Sequence, residues 1–176
     1  MEEIKISDNE ISQEGFENFL NSIQNNENIS WLDIHNNTMS NKIKNIAEII
    51  GSLPNIVHLN LSDLTIEDRD KIKNIFEILP KLSKLREFYF EYSISDLNCK
   101  NDKDKEEYMT QLFRCLLQVD NLKEIHLENN DIPKSLYNKF LPEFKKKGVY
   151  LFSCFSDEEN LDDEENEEID MTDLNK

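Results

Sequence analysis

Residues 29–39 read ISWLDIHNNTM, and their apolar positions fit neither common period. Ile29, Leu32 and Ile34 stand three and then two apart, and Asn37 and Met39 follow. A half-buried strand alternates by two and an amphipathic helix steps by three and four, so the stretch is neither alone. The same order returns at residues 56–66, IVHLNLSDLTI, and at 122–132, LKEIHLENNDI. Leu85, Phe88 and Phe90 open a copy that drifts at Ser93, and Ile4, Ile6, Asn9 and Ile11 give a copy without its first turn. Val149, Leu151 and Cys154 suggest a sixth, with Cys in the place of Asn.

Taking Ile4, Leu32, Leu59, Phe88, Ile125 and Val149 as equivalent positions gives a repeat of about 28 residues, within the LxxLxLxxNxL pattern of leucine-rich repeats. The two residues around the central x point inward from a short strand, and the Asn bonds backbone groups where the chain bends. Between the strands, apolar residues fall at helical spacing. These are Phe16, Phe19, Leu20, Ile23; Ile43, Ile46, Ile49, Ile50; Ile72, Ile75, Phe76, Leu79; Met109, Leu112, Phe113, Leu116; and Tyr137, Phe140, Leu141, Phe144. Ser12, Ser40 and Thr65 are candidate N-caps, Pro133 suits a first helical position, and Gly148 suits a left-handed close. Pro54 and Pro80 follow the second and third helices, and Pro142 is expected to kink the fifth. The expected fold is an α/β solenoid of ribonuclease-inhibitor type with about six repeats, parallel strands on its concave face and helices on its convex face. It should occupy residues 1–155, with an acidic disordered tail over 156–176.

The tail dominates the charge. The 176 residues carry −17, and residues 157–176 alone hold 11 acidic side chains and one Lys. Such a chain is a poor match for nucleic acid, whose binding needs clustered Lys and Arg. No apolar run is long enough for a membrane span and MEEIKIS is not a signal peptide, so a cytoplasmic or nuclear-periphery location is expected. Cys99, Cys115 and Cys154 lack metal-like spacing and read as free thiols. Phosphate-loop, dinucleotide, zinc-protease and CxxC motifs are absent, so neither an enzyme active site nor a cofactor is expected.

Alternation along the strands gives the exposed rows. One is Glu3, Trp31, His58, Glu87, Glu124; the next is Lys5, Asp33, Asn60, Tyr89, His126; the third is Ser7, His35, Ser62, Glu91, Glu128. From these and the loop beside them, Trp31, Asp33, His35, Asn36, Asn37, Asn60, Tyr89, Glu91, His126 and Glu128 are taken as partner-facing residues. Trp31 is the anchor, since aromatic side chains concentrate interface energy. Asp33 with His35, and His126 between Glu124 and Glu128, read as polar surface rather than metal ligands, and His58 reads as indifferent. The polar run 93–107 reads as an insertion between strand and helix, and the tail as either a contact for basic proteins or a solubilising segment.

The succession NEISQEGFENFL, LDIHNNTM, SLPN, LKEIHLENNDI and a terminal acidic block resembles the C-terminal half of the leucine-rich domain of Ran GTPase-activating proteins, over residues 4–170. The resemblance implies binding of Ran in its GTP state and faster hydrolysis in nucleocytoplasmic transport, without an arginine finger. The family's activity-linked residues lie in earlier repeats than those matched, so Asn36 and Asn37 inherit no catalytic role and neither does Arg69. Met1 just precedes a strand with no polar cap, which leads to the expectation of a fragment or of a covering element over Ile4 and Ile6. A non-catalytic binding scaffold and an acidic histone-binding chaperone are the alternatives.

Overall fold

The computed structural model describes residues 2–9, 11–37, 46–64, 68–93 and 102–153. Six short strands, β1 (Glu2–Lys5), β2 (Ile29–Asp33), β3 (His58–Asn60), β4 (Glu87–Tyr89), β5 (Glu124–His126) and β6 (Tyr150–Phe152), form one parallel sheet in chain order. Between successive strands run α1 (Gln13–Ile23), α2 (Ile46–Gly51), α3 (Arg69–Ile78), α4 (Asp102–Leu116) and α5 (Lys134–Lys147), each packed on the next. Chain-order parallel pairing requires a crossover after every strand, and the helices supply it.

Register explains the spacing of the opening stretch. Ile4, Leu32, Leu59, Phe88, Ile125 and Leu151 lie opposite one another across the sheet. The central four, and Ile34, Leu61, Phe90 and Leu127 two places on, are fully buried against the helices. Ile4, Ile6 and Leu151 are only partly buried, because a terminal strand has a neighbour on one side. The pairing corrects one expectation: Leu151, not Val149, is the partner of Ile125, so the last copy is displaced by two residues. Val149 is buried ahead of the strand instead.

After each strand the backbone ladder continues into a bend. Asp8, Asn36, Asp63, Tyr92 and Asn129 occupy equivalent places, all at positive φ between 47° and 60°. The first four donate their N–H to His35, Ser62, Glu91 and Glu128 carbonyls in the following copy. Asp and Asn tolerate this left-handed conformation, whereas a bulky Tyr92 there is strained. The next residue is the repeat's Asn. Asn37 Nδ2 donates to the Ile6, Ile34 and His35 carbonyls at 2.9–3.1 Å, and Asn130 Nδ2 donates to those of Phe90 (2.6 Å) and Leu127 (3.0 Å) while its Oδ1 accepts from Ser93 N (2.9 Å). The third copy has Leu64 in that place, which cannot donate. Ser93 Oγ in the fourth copy reaches back to the Leu61 carbonyl at 3.3 Å, so the drift at Ser93 is a shorter substitute for the same bond.

Helix signals held in part. Ser12 Oγ caps α1 through Gly15 N, and Gly148 closes α5 at φ 69° with its N–H on the Lys145 and Phe144 carbonyls. Asp68 caps α3 through Asp70 N. Pro133 sits at the cap, one place before the first helical residue, and α5 continues through Pro142 as a single element. Its buried stripe is Leu136, Phe140 and Phe144, while Tyr137 and Leu141 flank it half-buried. The insertion is partly helical: α4 starts at Asp102, inside the run expected to be loop, and reaches 15 residues. Met39, Ser40, Ile43, Thr65, Ile66, Cys99, Cys154, residues 94–101 and the acidic tail lie outside the described residues. Among the described residues no helix is long and apolar enough to cross a membrane.

Candidate interaction face

Helices cover one side of the sheet, and the alternate side chains form its other face. The three rows expected from alternation are in register across the strands for the first two, Glu3 to Tyr150 and Lys5 to Phe152. Parallel strands lie about 4.8 Å apart, close to the stacking distance of rings, so aromatic residues at equivalent places are forced face to face.

They form two face-to-face stacks, Trp31 with His58 in one row and Tyr89, His126 and Phe152 in the next, joined by a tilted contact. Trp31 lies on His58 at 3.4 Å between ring centres, His58 meets Tyr89 at 4.8 Å, Tyr89 lies on His126 at 4.1 Å, and His126 lies on Phe152 at 4.4 Å. Lys5 Nζ closes the first end, 4.5 Å over the Trp31 ring. Trp31 is therefore half-buried within a stack, with its indole N–H enclosed and without a hydrogen-bond partner. An interface anchor at this place would be presented edge-on.

His58 is not indifferent. It is buried, and its Nδ1 lies 2.8 Å from Glu87 Oε2 on the next strand. Its acidic partner is 29 residues away in sequence, which a search along its own strand misses; the cross-strand register, once the repeat is set, places Glu87 opposite it. Burial outweighs that carboxylate and lowers the His58 pKa below its ordinary value. His126 goes the other way. Burial opposes its charge, but the hydrogen bond to Glu128 (3.4 Å) and the charges of Glu128 and of Glu124 (3.6 Å) win and raise its pKa.

The signs for stability follow. His126 binds its proton more tightly folded than unfolded, so its contribution is complete below the unfolded value near 6.5 and is lost as pH rises through the folded value. For His58 the folded ring resists protonation, and stability falls as pH drops below that same unfolded value. Titration of the imidazole protons by NMR should place His126 above 6.5 and His58 below it; the reverse order would contradict this geometry.

The remaining partner-facing residues divide. Asp33 Oδ1 accepts the His35 backbone N–H (3.2 Å) and lies 2.7 Å from His35 Nδ1, while His35 Nε2 is 3.2 Å from Asp8 and Asn60 Nδ2 reaches His35 Nδ1 at 3.3 Å. Asn36 donates to Asp8 Oδ1 at 2.8 Å. Asn37 is buried among carbonyls and stands apart from the face, a correction to its grouping with the others. At the far side, Glu91, His126 and Glu128 come together with one ligand-type atom each within 4.8 Å of one another. Glu91 is raised in pKa by burial and by the Glu128 charge, while in Glu128 burial is outweighed by the bond to His126, the residue's own backbone N–H and the His126 charge together, and the pKa is lowered. The three could surround a cation, a grouping that joins His126 to Glu91 on the neighbouring strand's row and that alternation along one strand does not reveal.

None of the three arginines enters this face. Arg69 Nη1 pairs with Asp104 at 3.4 Å and its guanidinium lies over Tyr108, Arg114 is on the exposed side of α4, and Arg86 precedes β4. Cys115 is a half-buried free thiol whose pKa is raised by burial and by Glu77. A scan against family models matches none, and a search of curated proteins returns no match.

Proposed function

We propose that this chain is a leucine-rich repeat solenoid of ribonuclease-inhibitor type whose concave sheet face holds a protein partner, and that the partner is a small GTPase of the Ran kind in its GTP state, whose hydrolysis it promotes in nucleocytoplasmic transport. The observation that carries the binding role is the open sheet face, where an aromatic array spanning five of the six strands is bordered by carboxylates. Rigid, preordered aromatic surface loses little entropy on docking, which favours recognition. The partner's identity comes from the sequence resemblance. With Arg69 paired to Asp104, activation would proceed through the GTPase's own groups and not through a supplied finger. A cytoplasmic setting goes with this reading.

A second reading, a non-catalytic scaffold, draws on the mutual pairing of the polar groups on the face: Asp33 with His35, Glu87 with His58 and Glu128 with His126 leave few free for chemistry. One assay separates them. Single-turnover hydrolysis of GTP on purified Ran is expected to accelerate by at least about tenfold, about 1.4 kcal/mol in barrier, on adding this chain. Capture of Ran with GTP but unchanged hydrolysis selects the scaffold, and no capture in either nucleotide state rejects Ran as the partner.

A further inference from the structure

We infer that the β4–β6 half of the open sheet face is the docking surface for an extended, arginine-bearing segment of a partner protein, with guanidinium groups set against carboxylates on both sides of the Tyr89–His126–Phe152 ring strip. The inference rests on the reading that this face binds protein, and is independent of whether that protein is Ran.

Charge is unequally distributed across the face. In the β1–β2 half the acids are answered locally: Glu3 pairs with Lys5 at 3.1 Å, and His35 lies 2.7 Å from Asp33 and 3.2 Å from Asp8. In the β4–β6 half the rows read Glu87, Glu124, Tyr150; Tyr89, His126, Phe152; and Glu91, Glu128, with no Lys or Arg among them, and four carboxylates share two imidazoles: His58 lies 2.8 Å from Glu87, and His126 lies 3.4 Å from Glu128 and 3.6 Å from Glu124. Two pairs of carboxylates thus flank a strip of rings. Glu87 and Glu91, and likewise Glu124 and Glu128, are four residues apart, a separation of up to about 13 Å along an extended strand. An extended peptide lying on the strip sends successive side chains to opposite sides, so neighbouring arginines reach opposite pairs.

The rings define what kind of contact this is. Tyr89, His126 and Phe152 cover one another's faces, leaving edges outward, and ring edges carry the positive part of the quadrupole. Attraction for a cation therefore comes from the carboxylates, and the strip acts as a stiff apolar floor for the aliphatic stem. Glu91 and Glu128 bring oxygens within 4.8 Å of each other, which suits the planar fork of one guanidinium bonding to both at about 2.9 Å. An ammonium satisfies such a pair less completely. The acidic tail shares the charge of this face and is excluded as its occupant.

The test uses the whole chain, a fluorescein-labelled hexa-arginine peptide, hexa-lysine as its counterpart, and E91Q/E128Q as the variant. Expected are hexa-arginine binding weakened by about tenfold in the variant, amide NMR shifts at residues 87–91 and 124–128, and hexa-lysine weaker than hexa-arginine by about threefold. F152K, at a 43% exposed site, should weaken binding also and serves if the double variant misfolds. Unchanged affinity in a folded variant, with shifts only in 156–176, would assign binding to the tail and overturn the proposal. So would equal binding of hexa-lysine. Hexa-arginine behaving as expected while Ran with GTP is not captured removes Ran alone; hexa-arginine bound equally by wild type and E91Q/E128Q while Ran with GTP is captured removes this surface alone.

Discussion

Phe88→Ala should destabilise the chain by about 3–5 kcal/mol, the range for emptying a fully buried phenylalanine site. Phe88 is inaccessible to solvent, stands in register between Leu59 and Ile125, and packs on Phe90 at 5.8 Å between ring centres. A domain holds about 5–15 kcal/mol in total, so this single change removes about a fifth of it or more. Position amplifies the loss. In a stack where each unit touches only its neighbours, a cavity in the fourth of six strands weakens the contacts on both sides, whereas one at an end weakens a single contact. Phe152→Ala is the control: the ring is half outside, on the edge strand, and among the described residues stacks on His126 alone, so its loss should stay below about 1 kcal/mol. Urea unfolding followed by circular dichroism and by Trp31 fluorescence measures both. A Phe88 effect no larger than that of Phe152 would mean that sheet and helices do not share one interior.

The parts of this fold that repeat are the parts the sequence discloses. Ile4, Leu32, Leu59 and Phe88 could be aligned because each pairs with the next at an interval of 27–29 residues, and Ile125, 37 residues on, because LKEIHLENNDI restores the full pattern. Where the pattern itself is incomplete, inference fails. Val149 is apolar, buried and close to a strand, and nothing local distinguishes it from Leu151, whose pairing with Ile125 is settled by the backbone bonds of Tyr150 to Lys123 and Leu127 to Phe152. The N-terminal turn of α4 was hidden for a different reason: residues such as Asp102, Lys103 and Asp104 are polar on every side, and an exposed helix extension has no apolar stripe to announce it.

The face was legible as rows and illegible as contacts. Alternation located Trp31, His58, Tyr89 and His126 on one side, but their stacking depends on lateral spacing between strands, and the His58–Glu87 bond on register. Asn37 shows the converse. Its neighbours Asn36 and His35 do point outward, so adjacency suggested a surface role, yet the left-handed turn at Asn36 swings the next side chain back under the carbonyls of Ile6 and Ile34.

That inward turn underlies the second large effect. Asn130→Ala is expected to cost about 2–4 kcal/mol, because three buried bonds vanish together and the Phe90 carbonyl, the Leu127 carbonyl and the Ser93 N–H lose this side chain as their partner. Asn130 itself has no exposed surface, so water does not replace the carboxamide without opening the bend. Asn37→Ala should cost less than Asn130→Ala: its Nδ2 serves three carbonyls, but its Oδ1 is buried without a partner among the described residues, and removing that oxygen relieves part of the loss. Asn9→Ala should lie below about 1 kcal/mol, since Asn9 is exposed and bonds only the Ile6 and Ser7 carbonyls of its own bend, where water can substitute. The order Asn130, Asn37, Asn9 in denaturant midpoints follows from burial and from whether the bond crosses between copies. Equal costs at all three would mean that the asparagine shapes each bend separately, and the cross-copy bonds to Phe90, Ser93 and Ile6 would then contribute nothing to holding successive units together.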